Sequence, residues 1–166
     1  RDGAAAREYL DGRRITKQTA TRFGLGAAPD DWTALTRHLS DMGYTGNEMV
    51  DAGVAVHGKN GSVYDRFRRR LMLPVIDQRG RVVGFGGRIL GDGEPKYLNS
   101  PETMVFSKRR LLYGLNLAKN TKRKEFILCE GNIDVITLHQ AGFDSAVATM
   151  GTALTKEQVQ MIARYT

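Results

Sequence analysis

Apolar side chains recur at helical spacing over the first fifty residues. They run in short strands from Val54, and return to a helical period after Leu111. Residues 3–11 combine Ala4, Ala5, Ala6, Tyr9 and Leu10 into a short stripe of helix-forming composition, which Gly12 is expected to stop. Thr16 is placed to cap a second helix running to Phe23, and Gly24-Leu25-Gly26 breaks the pattern. Trp32, Leu35, Leu39 and Met42 predict an amphipathic helix, with Asp30 and Asp31 at its positive end and Gly43 closing it. Thr45 and Glu48 have capping-box spacing and open a short helix to Ala52.

Val54-Ala55-Val56 and Ser62-Val63-Tyr64 flank an Asn60-Gly61 turn and predict a hairpin. Leu71 to Asp77 is a second apolar strand, in which Pro74 implies an edge position or a bulge. Val82 to Leu90 reads as a strand carrying Gly84, Gly86 and Gly87. Three glycines weaken packing, so they predict the close approach of a ligand or another backbone. The spacing is not that of a dinucleotide fingerprint, and no Walker A sequence occurs. Residues 91–110 are expected to form a long irregular loop of the functional kind, bearing Lys96, Tyr97, Asn99, Lys108, Arg109 and Arg110. A short helical linker, Leu111 to Lys119, leads into the basic run Lys122-Arg123-Lys124, where a subdomain boundary is placed.

Phe126 to Cys129 is a short apolar strand closed by Glu130; Gly131 permits a sharp turn into a helix from Asn132 to Ala141. A second strand, Ser145 to Thr149, precedes the Gly151-Thr152 turn and a helix capped by Thr155 and Gln158. Strand, helix, strand, helix in about forty residues predicts a right-handed crossover between parallel strands. Open α/β sheets place their chemistry at the carboxyl ends of such strands, which makes Glu130 the first candidate residue. The alternative for Glu130 is a solvated strand end.

The 166 residues are 41% hydrophobic and 26% charged, as in an ordinary globular chain with one good core or two small subdomains. No apolar run approaches the roughly 18 residues of a membrane span. The chain opens without methionine and closes inside a predicted helix, which implies a piece of a longer protein. Its single cysteine, Cys129, excludes an internal disulfide, fits a reducing compartment and is read as a small core residue. His38, His57 and His139 lack partners at ligand spacing, so no zinc site is expected. The net charge of +7 is concentrated: residues 61–110 hold eleven Lys/Arg against five Asp/Glu, and both flanks are near neutral. A basic middle implies a localised anionic partner.

Six segments then stand in order: Tyr64-Asp65-Arg66-Phe67-Arg68, Gly84-Phe85-Gly86-Gly87-Arg88, Pro95 to Thr103, Leu112-Tyr113-Gly114-Leu115, Glu130 to Val135, and Gly151 to Thr155. Together they resemble the polymerase core of bacterial DnaG-type replicative primases, over Ala6 to Thr166. The resemblance implies an α/β fold, with a mixed α+β N-terminal subdomain (1–124) followed by the first βαβα part of a Toprim, Rossmann-like parallel sheet (125–166). It implies synthesis of short RNA primers from ribonucleoside triphosphates on a single-stranded DNA template, in the cytoplasmic replisome of a bacterium and away from membranes. A replicative helicase would bind through a domain absent from these residues, and zinc would belong to an N-terminal domain equally absent.

Toprim sites hold Mg²⁺ or Mn²⁺ with one glutamate and a downstream Asp-x-Asp pair, and Glu130 matches that catalytic glutamate. Asp134 matches the aspartate that follows; as a first-turn acid it is also read as favouring the helix dipole. Glu130 is open between metal ligand and proton carrier. Arg22, Arg88, Lys96, Tyr97, Asn99 and Lys108 align with the positions that contact template or incoming nucleotide. Gly84, Gly86 and Gly87 would let the strand approach that ligand. Arg66, Arg68, Arg69 and Arg70 are read as a nucleic-acid ridge, with some paired to acids such as Asp65. Two departures stand out: Asn132 replaces the usual tyrosine, and no Asp-x-Asp occurs in the 166 residues. The competing readings are a non-catalytic single-stranded nucleic-acid-binding module, or part of another Toprim protein of the phage primase-helicase type. The motifs at 64–68 and 95–103 argue against the latter.

Overall fold

The computed structural model describes residues 3–151 and 153–165. Helix α1 (Ala4–Gly12) does not end at its glycine. Arg14 takes the left-handed conformation (φ 55°), and the Ile15 amide closes back on the Leu10 carbonyl at 2.9 Å. Helix α2 (Lys17–Arg22) is capped as predicted, the Thr19 amide donating to Thr16 Oγ1 at 3.2 Å. A strand absent from the sequence reading, β1 (Gly26–Ala28), follows.

Helix α3 (Ala34–Asp41) corrects the predicted stripe. Trp32 lies outside the helix and is 61% exposed, Met42 is 59% exposed, and the buried position is Thr36. Asp30 and Asp31 do not charge its first turn. Asp31 instead accepts from the Thr33 amide at 2.7 Å and pairs with Arg37. The true cap comes from thirty residues away. Asp65, 1% exposed, accepts from the Leu35 and Thr36 amides at 2.7 and 2.8 Å, so its two oxygens are taken by backbone donors and it forms no ion pair with the neighbouring arginines among the described residues. Helix α4 (Gly46–Asp51) carries the predicted Thr45–Glu48 capping box. The hairpin of β2 (Ala55–His57) and β3 (Val63–Asp65) forms in register, with Gly61 at φ 75°.

Strands β4 (Arg70–Ile76), β5 (Val82–Ile89) and β6 (Tyr97–Asn99) complete an antiparallel sheet of order β1-β4-β5-β6. β4 is an inner strand, yet β1 pairs only with residues 70–72. Pro74 therefore sits beyond that partner, just before a register shift at Val75/Ile76. β6 lies inside the stretch predicted to be irregular.

The segment expected as a linker is docked. Tyr113 exchanges two backbone hydrogen bonds with Ala148 (2.8 and 3.1 Å), and Leu112, Leu115 and Ala118 pack on Val147 around α5 (Leu115–Ala118). Strands β7 (Ile127–Cys129) and β8 (Ala146–Ala148) are parallel and joined by α6 (Asn132–Gln140). Helix α7 (Lys156–Ile162) has the predicted capping box, and its buried Gln158 also donates to the Lys108 and Leu111 carbonyls at 2.9 and 2.8 Å. One cluster joins the four-stranded sheet to the parallel pair: Phe23, Leu71, Leu73, Val75, Phe106 and Tyr113 pack with Val135, Ile136, Ala146 and Met150. A second tie is polar. Gln140 accepts from the Thr16 amide (2.8 Å) and donates to the Arg14 carbonyl (2.7 Å), fixing the far end of α6.

Candidate functional site

Parallel strands open their carboxyl ends on the same side. Glu130 follows β7, Thr149 to Gly151 follow β8, and α6 begins beside them. β6 is held opposite, because the Asn99 side-chain amide donates to the Met150 carbonyl at 3.1 Å. A cleft of about 340 Å³ results, lined by Tyr97, Asn99, Glu130, Asn132, Asp134 and Met150 among others. Glu130 and Asp134 are exposed, and a Cβ added to Gly131 would lie 3.1 Å from Asp134 Oδ2, so that carboxylate folds back over the turn. Burial and then the Asp134 charge push the Cys129 thiol above its ordinary range, which leaves it an inert thiol.

Two carboxylates at one mouth fit the oxygen-donor chemistry of a hard divalent cation, which takes one or two carboxylates and completes its shell with water or phosphate. Among the described residues, no group of three or more His, Cys, Asp or Glu gathers to complete a protein-only shell.

The predicted cations divide. Arg88 is the cross-strand partner of Tyr97, which lines the cleft. Its guanidinium stacks over the Tyr9 ring (4.2 Å) and donates to the Ile89 carbonyl at 2.7 Å. Lys96 is exposed beside Tyr97, which is itself 47% exposed. Lys108, like Arg88 and Lys96, does not itself line the cleft, and its carbonyl is taken by Gln158. Arg22 is not gathered either. It ends α2 near His139, at the opposite end of α6 from Glu130, and there it holds the imidazole pKa down, after burial as the larger cause.

The glycine expectation needs correction. A Cβ on Gly84 would meet the buried Phe106 ring at 2.4 Å, and one on Gly87 would meet Phe67 and Arg70 at 2.9 Å. Only Gly86, against Asn132 and Asn99 at 3.1 and 3.3 Å, faces the cleft lining. All three are buried, and the partners that come close are side chains of this chain.

The arginine ridge is partly internal. Arg70 is buried, donating to the Gly87 and Pro95 carbonyls (3.1 and 3.0 Å), and Arg66 donates to the Asn99 carbonyl at 2.9 Å. Burial lowers both pKa values; for Arg70 the neighbouring Arg68 and Arg66 add to it. Arg68 bonds the Asp65 carbonyl and lies over the rings of Trp32 (3.9 Å) and Tyr64 (5.4 Å). Arg66, Arg68, Arg69 and Arg70 line a second cleft of about 310 Å³. The exposed Trp32–Arg68 ledge was missed because Trp32 fits the helical stripe. The available signal was Asp31-Trp32-Thr33, a side-chain-closed turn that ends before a helix can begin.

This geometry matches known proteins. The family model for the DNA primase catalytic core, N-terminal domain, covers residues 1–119, and a Toprim-like model covers 127–166. The chain belongs to the DNA primase catalytic core family. It is 51% identical over 161 residues (96% of this chain, 27% of the relative) to the DNA primase of Clostridium acetobutylicum. It superposes with TM-score 0.92 and 42% identity on a DnaG primase catalytic domain solved bound to ssDNA, covering 99% of this chain and 54% of that one. The RNA polymerase domain of Mycobacterium tuberculosis DnaG, solved with a double-stranded DNA oligomer bearing a 6-nucleotide overhang, gives TM-score 0.92 at 40% identity over 99% of this chain and 53% of that one. The chain spans about a quarter of the length of the curated relatives it matches (27%, 24% and 28%). No helix among the described residues is long and apolar enough to cross a membrane.

Proposed function

We propose that this chain is part of a primase that makes RNA primers on single-stranded DNA from nucleoside triphosphates by metal-dependent nucleotidyl transfer. The observation that carries this is the cleft between β6 and the β7–α6 turn, where Tyr97 and Asn99 from the basic sheet meet Glu130 and Asp134. Family membership and ssDNA in the solved relative support it. The chain divides into a template- and nucleotide-binding part, residues 1–124, and the start of a Toprim part, residues 125–166. Replicative helicase, zinc and the bacterial cytoplasmic setting belong to the longer protein in this reading.

Glu130 and Asp134 would hold Mg²⁺ or Mn²⁺. Such an ion, when bound, supplies positive charge to the attacking and leaving oxygens of phosphoryl transfer. Arg88 and Lys96 neutralise phosphates beside the cleft, and Tyr97 offers a face to a base. Asn99 acts through the hydrogen bond its side-chain amide donates to the Met150 carbonyl, keeping the two walls in register. The Trp32–Arg68 ledge and the arginine cleft carry the incoming template strand, by stacking and by charge. Lys108 and Arg22 have no contact with the Tyr97 wall of the cleft, and their assignment to template or nucleotide rests on the family resemblance alone.

A second reading is favoured by one observation: Glu130 and Asp134 have no third acidic or imidazole ligand among the described residues. These residues by themselves then form a template-binding platform without catalysis.

The test is a salt titration of single-stranded DNA binding by the full-length protein, alongside Arg88→Ala/Lys96→Ala and Glu130→Gln. The paired cation variant should flatten the log–log slope by about 1.4, two contacts at roughly 0.7 each. Glu130→Gln should keep that slope and lose primer synthesis. An unchanged slope in the first, or normal synthesis in the second, removes those residues from the site.

A further inference from the structure

Arg88 is half-buried and makes none of the ion pairs among the described residues. Its Nε is buried without a hydrogen-bond partner. What holds the guanidinium is one carbonyl, that of Ile89, and the face of the Tyr9 ring at 4.2 Å. Tyr9 comes from α1, whereas Arg88 and its cross-strand partner Tyr97 come from the sheet. Tyr9 is itself anchored: it packs on the core cluster, and burial raises its pKa, with the Arg88 charge opposing. A charge held over an aromatic face, with no carboxylate to neutralise it, keeps its remaining donors for an incoming anion.

We propose that Tyr9 is a positioning residue for Arg88, fixing the guanidinium beside Tyr97 so that it meets a template phosphate without reordering. This rests on the template-binding reading of the cleft. A flexible arginine loses side-chain entropy on binding; the stacked one has lost it already. The ring face does the work, so the hydroxyl is dispensable and a lysine cannot substitute for Arg88.

The experiment is a double-mutant cycle on the full-length protein, read as fluorescence anisotropy of labelled oligodeoxythymidylate across a salt series. Tyr9→Leu should weaken binding about fivefold and make the salt slope shallower by about 0.7. Arg88→Ala should do at least as much, and adding Tyr9→Leu to it should change nothing further. Tyr9→Phe should bind as wild type, and Arg88→Lys should be weaker and insensitive to Tyr9→Leu. If Tyr9→Leu unfolds the protein, the Phe and Lys variants decide. Equal losses from Tyr9→Leu with and without Arg88, loss in Tyr9→Phe, or full binding in Arg88→Lys would overturn the positioning role. If Arg88→Ala binds normally, the template-contact reading of Arg88 fails, and the positioning role falls with it.

Discussion

The antiparallel sheet and the parallel strand pair treat their charged residues in opposite ways. On the side of the antiparallel sheet, Arg70 and Arg88 in its strands and Arg66 in the connection before β4 are built into the wall, held by carbonyls of Asn99, Gly87, Pro95 and Ile89 and by aromatic faces. At the parallel pair, Glu130 and Asp134 stand exposed at a strand end and in a helix's first turn. A guanidinium has five donors and a long apolar stem, so it can serve the fold and still face a ligand. A carboxylate that is to hold a cation is useful only if its oxygens are left free. The difference teaches that substitutions on the basic side mix stability with binding, whereas those on the acidic side separate them.

The largest effect should come from the acidic side. Glu130→Gln in the full-length protein should lower primer extension by at least about a hundredfold with no change in thermal midpoint, because an exposed carboxylate is not part of the packing. A lowered midpoint would break the contrast. Gly84→Ala should destabilise by about 2–3 kcal/mol in urea unfolding without any nucleic acid present, since the new methyl meets the Phe106 ring. An unaffected protein that binds DNA poorly would restore the ligand-approach reading of this glycine. Arg70→Ala should lose about 2 kcal/mol, leaving the Gly87 and Pro95 carbonyls without their donor. Trp32→Ala should weaken oligodeoxythymidylate binding about tenfold at unchanged stability, as expected for one stacked base.

The smallest effect is a pH dependence. His139 is buried, with its pKa lowered by burial first, by Arg22 as well, and opposed by its bond to the Ala146 carbonyl and by Asp144. The unfolded chain therefore binds the proton more readily than the folded one. Its contribution is fully present above the ordinary imidazole pKa of about 6.5 and is lost as pH falls through the lowered folded value. Urea midpoints for wild type and His139→Gln should converge on acidification. Parallel curves would remove His139 as the cause.

Much of this was legible beforehand where the cause is local. Capping boxes at Thr45 and Thr155, the hairpin at Gly61, and the parallel order of β7 and β8 follow from contacts a few residues apart or from connection rules. Glu130 as the strand-end carboxylate was read the same way. What failed was long-range. Asp65 capping α3, Trp32 turning outward, β6 pairing inside an apparent loop, and Phe106 filling the space above Gly84 each depend on a partner distant in sequence.

The sequence by itself determined the elements, the basic middle and the acidic turn, because propensity, capping and periodicity act over one or two turns of chain. Only the tertiary structure decided which charges remain available. Whether an arginine meets a carbonyl, a ring or open solvent is settled by what the fold brings beside it. That is why Arg88 with Tyr9, and Asn99 with Met150, could be read only once α1 and the parallel strand pair were packed against the antiparallel sheet.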